Sequence, residues 1–301
     1  MTVLFFSGGF LRLIKFDHFF RDLICGFTLV ALMNTAAFAE DGPGPSEKVI
    51  AEAGWKFRVA AQNLPQIDNL AMADDGSLYA TQELPFGAGK VIRLDRGKIT
   101  TVVSGLSRPD GLLLHGKWLF IAEEIFNGRL LEYDLSSKKL RTLAVLNHPE
   151  GIDMFPDGDL VVSEDVMEGR LLRVRRDGQN LTEVILDDLK RPEGLIVMPD
   201  GAIVFAETAT GRVLSYRNGE VNVVVDDLAD PDQVEWAPDG ALWITEDVDS
   251  GRLLRFKNGT IETVLSGLRS PQGMAFGTKG AVWLAERGRQ RILVIHSQDR
   301  P

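Results

Sequence analysis

Turn glycines at Gly76, Gly116, Gly158, Gly201, Gly240 and Gly280 recur at offsets of 40, 42, 43, 39 and 40 residues, and the chain repeats one unit around each of them. The third copy, LNHPEGIDMFPDGDLVVSEDVMEGRLLRVRRDG (146–178), shows the unit best. It runs through a Pro-acid-Gly step, an apolar run, a PDG turn, a second apolar run ending in Glu, a Gly-Arg loop and a third run. A period near forty residues with short runs and glycine turns is that of a four-stranded propeller blade. Runs such as LVVS (160–163), AIVFA (202–206), LWIT (242–245) and VWLA (282–285) are continuous rather than alternating, as expected of strands buried on both faces between blades. The repeats predict an all-β, six-bladed β-propeller over 57–301. The last copy stops after RILVIH (291–296), so 57–62 is expected to add the missing outermost strand of the last blade and staple the ring shut.

Ahead of the repeats, Arg12, Lys15 and Arg21 precede an apolar stretch that ends at Ala37-Phe38-Ala39, which reads as an export signal over 1–39. Retention of that segment as an anchor is the alternative. Residues 40–56, opening EDGPGP, read as a linker. The only cysteine, Cys25, lies within the signal, so the mature chain has no thiol chemistry. Without the signal the chain carries 30 Lys and Arg against 41 Asp and Glu. That balance argues against a nucleic-acid partner or insertion into an anionic membrane after cleavage, and suits a periplasmic or secreted monomer.

Aligning the six copies places Asp68, Asp110, Glu150, Glu193, Asp232 and Gln272 at the head of the innermost strand, nearest the axis. The far ends of the second strands carry Gln82, Glu123, Glu164, Glu207, Glu246 and Glu286. The first strand descends and the second returns, so both sets belong to one mouth. Carboxylates crowded there raise one another's pKa, and a hard cation held by oxygen ligands relieves them. A single Pro-acid-Gly is explained as well by an acid accepting backbone N–H groups in its own loop. Five around one axis favour the cation. The second-strand glutamates are expected to be structural, paired with Arg129, Arg170, Arg212 and Arg252 of the Gly-Arg loops.

His148, two residues before Glu150, is the histidine that reaches this mouth, where it serves as proton shuttle, substrate contact or an idle loop residue. Arg108, Lys190, Arg191 and Arg269 stand in the same segments, either to hold an anionic substrate or to solvate the rim. Trp118, Trp243 and Trp283 lie in second strands and are expected to pack between blades. No GxSxG elbow, His-rich metal box or phosphate loop is present, which favours metal-assisted chemistry or plain binding over covalent catalysis.

The repeat seen in PDQVEWAPDGALWITED (231–247) and PEGLIVMPDGAIVFAET (192–208) resembles that of streptogramin lyases and NHL-type propellers. The six-blade count and the inner ring look like the senescence marker protein/gluconolactonase family. That second resemblance implies a divalent cation on the axis, Ca2+ foremost with Mg2+, Mn2+ or Zn2+ as alternatives, held by Asp68, Glu150, Glu193 and Asp232. It implies Asp232 as catalytic base and His148 as a substrate contact, leaving Asp110, Arg108, Arg191 and Gln272 to complete the substrate site. The family mixes amides with acids at the ligand positions, where this chain has four acids, and Gln233 replaces the glycine expected after Asp232. The lyase resemblance implies a His and a Glu acting with Mg2+ on seven blades, and six blades with one mouth histidine disfavour it. Together these readings predict an exported, cation-dependent lactonase or esterase acting on a small molecule. The alternatives are a non-catalytic binding or scaffold propeller and a lyase opening a cyclic ester.

Overall fold

The computed structural model describes residues 48–177, 181–277 and 280–298, and the signal read at 1–39 lies outside the described residues. The chain forms six antiparallel sheets arranged as the blades of a propeller. The innermost strands, from blade 1 to blade 6, are Ile67–Met72, Pro109–His115, Pro149–Met154, Pro192–Val197, Pro231–Trp236 and Pro271–Phe276. The last of these packs against the first, so the array is a closed ring. The outermost strand of blade 6 is Trp55–Gln62, paired antiparallel with Arg291–Ser297. Among the described residues, no helix is long and apolar enough to cross a membrane.

The core is divided into six apolar clusters, and each lies between two neighbouring blades. Phe120, Leu130, Ile152, Leu160 and Leu172 join blades 2 and 3, while Trp243, Leu253, Met274, Leu284 and Leu293 join blades 5 and 6. This is why second strands such as Leu160–Glu164 and Ile203–Glu207 are buried throughout, whereas the edge strand Thr182–Leu189 is mostly exposed. Trp118, Trp243 and Trp283 all pack within such clusters.

The segment read as a linker is shorter than its composition suggested. Ile50–Ala51 pair with the outermost strand of blade 5, and Trp55 and Lys56 already belong to the edge strand of blade 6. Val49 is buried, and the Trp55 ring meets Trp243 edge-on at 5.4 Å while its Nε1–H is donated to Glu262 at 2.7 Å. The Gly-, Pro- and acid-rich run EDGPGPSE ends at Glu47, and the apolar residues Val49, Ile50 and Trp55 after it join the blades they cover.

Two local features aim the inner strands. In all six, pairing with the second strand slips at the head, between Ile67 and Leu70, Pro109 and Leu112, Pro149 and Ile152, Pro192 and Leu195, Pro231 and Val234, and Pro271 and Met274. The acid or amide after the proline, or after Ile67 where it replaces the proline in blade 1, sits in that bulge, which turns it out of the ladder. The following glycine permits the crowding this creates. A Cβ on Gly111 would stand 1.8 Å from the Glu150 carbonyl oxygen, and one on Gly151 2.5 Å from that of Glu193. Where the Pro-acid-Gly motif is complete, in blades 2, 3 and 4, it is therefore a device for bringing neighbouring strand heads together.

Candidate functional site

The two ends of the propeller spend their acids differently. At the tight-turn end, Asp75, Asp157, Asp200 and Asp239 accept backbone N–H groups two residues on, and they pair with Arg93, Arg173, Arg217 and Arg255. These aspartates build turns. The opposite end is the acidic mouth.

The second-strand glutamates are structural. Glu123, Glu164, Glu207 and Glu246 pair with Arg129, Arg170, Arg212 and Arg252 of their own blades at 2.5–2.7 Å, and Glu286 pairs with Arg289 and Arg291. Each also accepts the N–H of a residue in the segment leading into its blade: Ser107, Asn147, Lys190, Ala229 and Arg269. Gln82 plays this part in blade 1 by donating its Nε2–H to the Pro65 carbonyl. The ring thus holds the mouth segments against the blades.

Inside it, the residues at the inner-strand heads are all buried: Asp68, Asp110, Glu150, Glu193, Asp232 and Gln272. A second set joins them that sequence reasoning missed, namely the residues immediately after the stapling positions: Glu83, Glu124, Asp165, Thr208, Asp247 and Arg287. Their backbone N–H groups are held by the carbonyls of Gln66, Arg108, His148, Arg191, Asp230 and Ser270. Those six partners stand two residues before the inner position of each blade, and all have left-handed backbones with φ between 43° and 55°. Side chains alternate faces along a strand, so once Glu123 turns toward Arg129 its successor faces the other way. That alternation was the available signal.

These residues gather into three groups in which one oxygen from each member lies within 4.8 Å of the others: Asp68, Glu83 and Asp110; Glu124, Glu150 and Asp165; Glu150, Glu193 and Asp232. Three of the four ligands implied by the resemblance come together in the last group. The fourth, Asp68, belongs to a different one, where Arg287 from blade 6 pairs with both Asp68 and Glu83. Arg108 bridges Glu83 and Glu124, and Arg191 bridges Asp165 and Glu193. Both arginines proposed for substrate binding therefore stand at the mouth with their guanidinium groups on its own carboxylates. Of the rim cations, Lys190 pairs with Asp188 and Arg269 with Asp249. His148 is half-buried beside Glu150 in sequence, its Nδ1 at 3.0 Å from the Asn147 Oδ1.

Nine carboxylates (Asp68, Glu83, Asp110, Glu124, Glu150, Asp165, Glu193, Asp232 and Asp247) thus face three guanidinium groups among the described residues. Burial first, and then neighbouring acids, raise the pKa values of Glu83, Asp110, Glu150, Glu193 and Asp232. Glu150 is held well above the usual range by burial and by Glu193, Asp110, Asp165 and Asp232. Asp232 is raised by burial, Glu193 and Asp247, and Asp110 by burial, Asp68 and Glu83. Glu193 is pushed up to about 8 by burial and Asp165 against the opposing pull of Arg191. One oxygen each of Asp68, Asp110, Asp232 and Asp247 is buried without a hydrogen-bond partner, as is the Gln272 Nε2. Buried acceptors that meet no donor are costly unless a proton or a cation reaches them.

Several solved structures share this architecture. A streptogramin B lyase superimposes with a TM-score of 0.62 at 18% identity, over 82% of this chain and 99% of that one. A gluconolactonase from Xanthomonas campestris gives 0.69 at 12% identity over 81% and 90%, and a luciferin-regenerating enzyme 0.68 at 11% over 82% and 97%. These likenesses establish the fold. Neither a protein-family model nor a curated protein matches the sequence. The chemistry must therefore be argued from the mouth itself.

Proposed function

We propose that this chain is an exported, divalent-cation-dependent hydrolase of the lactonase or esterase type, acting as a monomer on a small neutral or cationic molecule. The observation that carries the reading is the buried Glu150–Glu193–Asp232 group, whose Asp232 Oδ1 has no partner and whose charge the nearby guanidinium groups do not match. All-oxygen donors of this kind suit a hard cation, Ca2+ foremost. Glu150, Glu193 and Asp232 would hold it, and when bound it supplies Lewis acidity toward an ester carbonyl. Asp232, at the head of blade 5, takes the proton from an attacking water. His148, left-handed at φ 49° two residues before Glu150, would contact the substrate and give a proton to the leaving oxygen. Asp110 and Gln272 complete the wall. With Arg108 and Arg191 engaged by acids, the mouth repels anions, which favours release of a carboxylate product over its retention. The gluconolactonase likeness agrees with this chemistry.

The test combines metal content of the purified protein with turnover of a panel of sugar and aromatic lactones, for wild type and Asp232→Asn. Metal-dependent turnover lost in the variant, with its melting temperature within a few degrees of wild type, is the expected result. A protein that binds no divalent metal and hydrolyses none of the panel removes the reading. One observation favours a non-catalytic binding propeller, the pairing of several mouth acids with Arg108, Arg191 and Arg287. On that reading Asp232→Asn changes stability and there is no turnover to lose.

A further inference from the structure

The repeat breaks its acidic pattern most sharply on blade 6. At the inner ring five blades carry an acid and blade 6 carries Gln272, and in the second set four carry an acid, blade 4 carries Thr208 and blade 6 carries Arg287. Blade 6 alone therefore offers a neutral residue and a cation where most other blades offer two carboxylates.

Arg287 does not serve its own blade. Its backbone is fixed by donation of its N–H to the Ser270 carbonyl at 3.0 Å, in a short 3-10 turn, and its guanidinium crosses to blade 1. There one nitrogen, Nη2, meets both the Asp68 Oδ2 and the Glu83 Oε2. Asp68 and Glu83 are almost wholly buried, and Arg287 is about one quarter exposed. Those two acids and Asp110 make one of the three carboxylate groups described above, and Asp68 Oδ1 and Asp110 Oδ1 are buried without a partner. The guanidinium nitrogen thus holds two of that group's three carboxylates, as a cation ligated by it would.

We propose that the mouth contains two cation sites and that the chain fills one itself: Arg287 occupies the Asp68–Glu83–Asp110 site and confines exchangeable divalent metal to Glu150–Glu193–Asp232. The second half rests on the metal reading given above, and the first half does not. The arrangement leaves Asp68 outside the metal's ligands, in contrast to what the family resemblance implies. Arg287 is thereby a positioning residue, setting where around the pore the metal sits.

The test is calcium stoichiometry of the full chain, measured by equilibrium dialysis and titration calorimetry with Ca2+ alone, for wild type, Arg287→Met, Arg287→Lys and Asp68→Asn. Wild type and Arg287→Lys should bind one equivalent and Arg287→Met two. Asp68→Asn should keep the single wild-type site with affinity reduced less than tenfold. Arg287→Met binding one equivalent with unchanged affinity overturns the proposal, as does loss of the wild-type site in Asp68→Asn. Should Arg287→Met fold only with metal, millimolar Ca2+ restoring its circular dichroism supports the proposal, and a variant that stays unfolded in calcium overturns it. A wild type that binds none while Arg287→Met binds one sinks the metal reading and leaves the Arg287 site standing.

Discussion

Adding calcium to the metal-free protein at neutral pH should expel protons. The Glu150, Glu193 and Asp232 oxygens lie within 4.8 Å of one another. At that separation, and an effective dielectric constant near 20, each ionised pair repels by about 3.5 kcal/mol, equivalent to about 2.5 pKa units. Desolvation acts in the same direction, since all three residues are buried. The directions agree with Glu193 pushed up to about 8 and with Glu150 and Asp232 held above their ordinary range. The metal-free cluster should therefore retain roughly one to two protons at pH 7, and a dication entering it must displace them. Calorimetry in buffers of different ionisation enthalpy reads this directly, because released protons are taken up by the buffer and the slope of observed heat against buffer ionisation enthalpy is minus their number. We expect a slope of about −1 to −2 at pH 7, approaching zero near pH 10 as the group ionises unaided. Apparent calcium affinity should rise by up to about tenfold per pH unit for each proton displaced, between about pH 6 and pH 8. A binding heat independent of buffer at pH 7 would refute the reasoning, since the three carboxylates would then be ionised together without help.

The same shifts carry a sign for stability. Folded-state pKa values raised above the unfolded values near 4 mean that the folded protein holds the extra protons, so metal-free stability is greatest near pH 4–5 and falls toward pH 8. Melting temperatures that rise with pH over this range, without metal, would contradict it. Glu164→Ala removes the acceptor for the Asn147 N–H and the partner of Arg170, and should cost about 1–3 kcal/mol in urea unfolding. A neutral result would deny the stapling role of that ring. Gly111→Ala places a Cβ 1.8 Å from the Glu150 carbonyl oxygen and should cost more than about 3 kcal/mol or prevent folding. Gly158→Ala, in an open turn at φ 93°, should cost only about 1–2 kcal/mol. Equal costs for the two would show that strand convergence is not what the Pro-acid-Gly glycine serves.

Both the propeller and its inner ring were legible because they are periodic: a turn glycine recurring six times, and a Pro-acid-Gly step complete in three copies and varied at one or two positions in the others, leave little freedom in where strands begin. The stapling of Glu164 by Arg170 was legible for the same reason, the two residues recurring together in every blade that has them. Misreading 40–56 as linker came from letting EDGPGP speak for Val49 and Trp55, whose burial depends on contacts with Glu262 and Trp243 two hundred residues away. The second ring of mouth residues was hidden in plain sequence, because Glu124 or Asp165 directly after a conspicuous glutamate looks like part of the same charge run. Only strand alternation, combined with knowledge of which way the first glutamate turns, separates them.

What no alignment of the repeats could show is how the excess charge is partitioned. A repeat unit specifies where a side chain starts and not which neighbour it reaches, and Arg287 reaches an acid 219 residues away across the closure of the ring. In a chain that copies one unit six times, the shared positions describe the scaffold and the exceptions describe the site. Gln272 and Arg287 are such exceptions, both on blade 6, and together they convert an evenly acidic ring into one with a filled side and an open side. Symmetric acids alone would offer a cation several equivalent positions around the pore. Breaking the symmetry with a tethered guanidinium leaves the Glu150–Glu193–Asp232 side, where Arg191 reaches Glu193 and Asp232 Oδ1 has no partner, as the place where positive charge falls short.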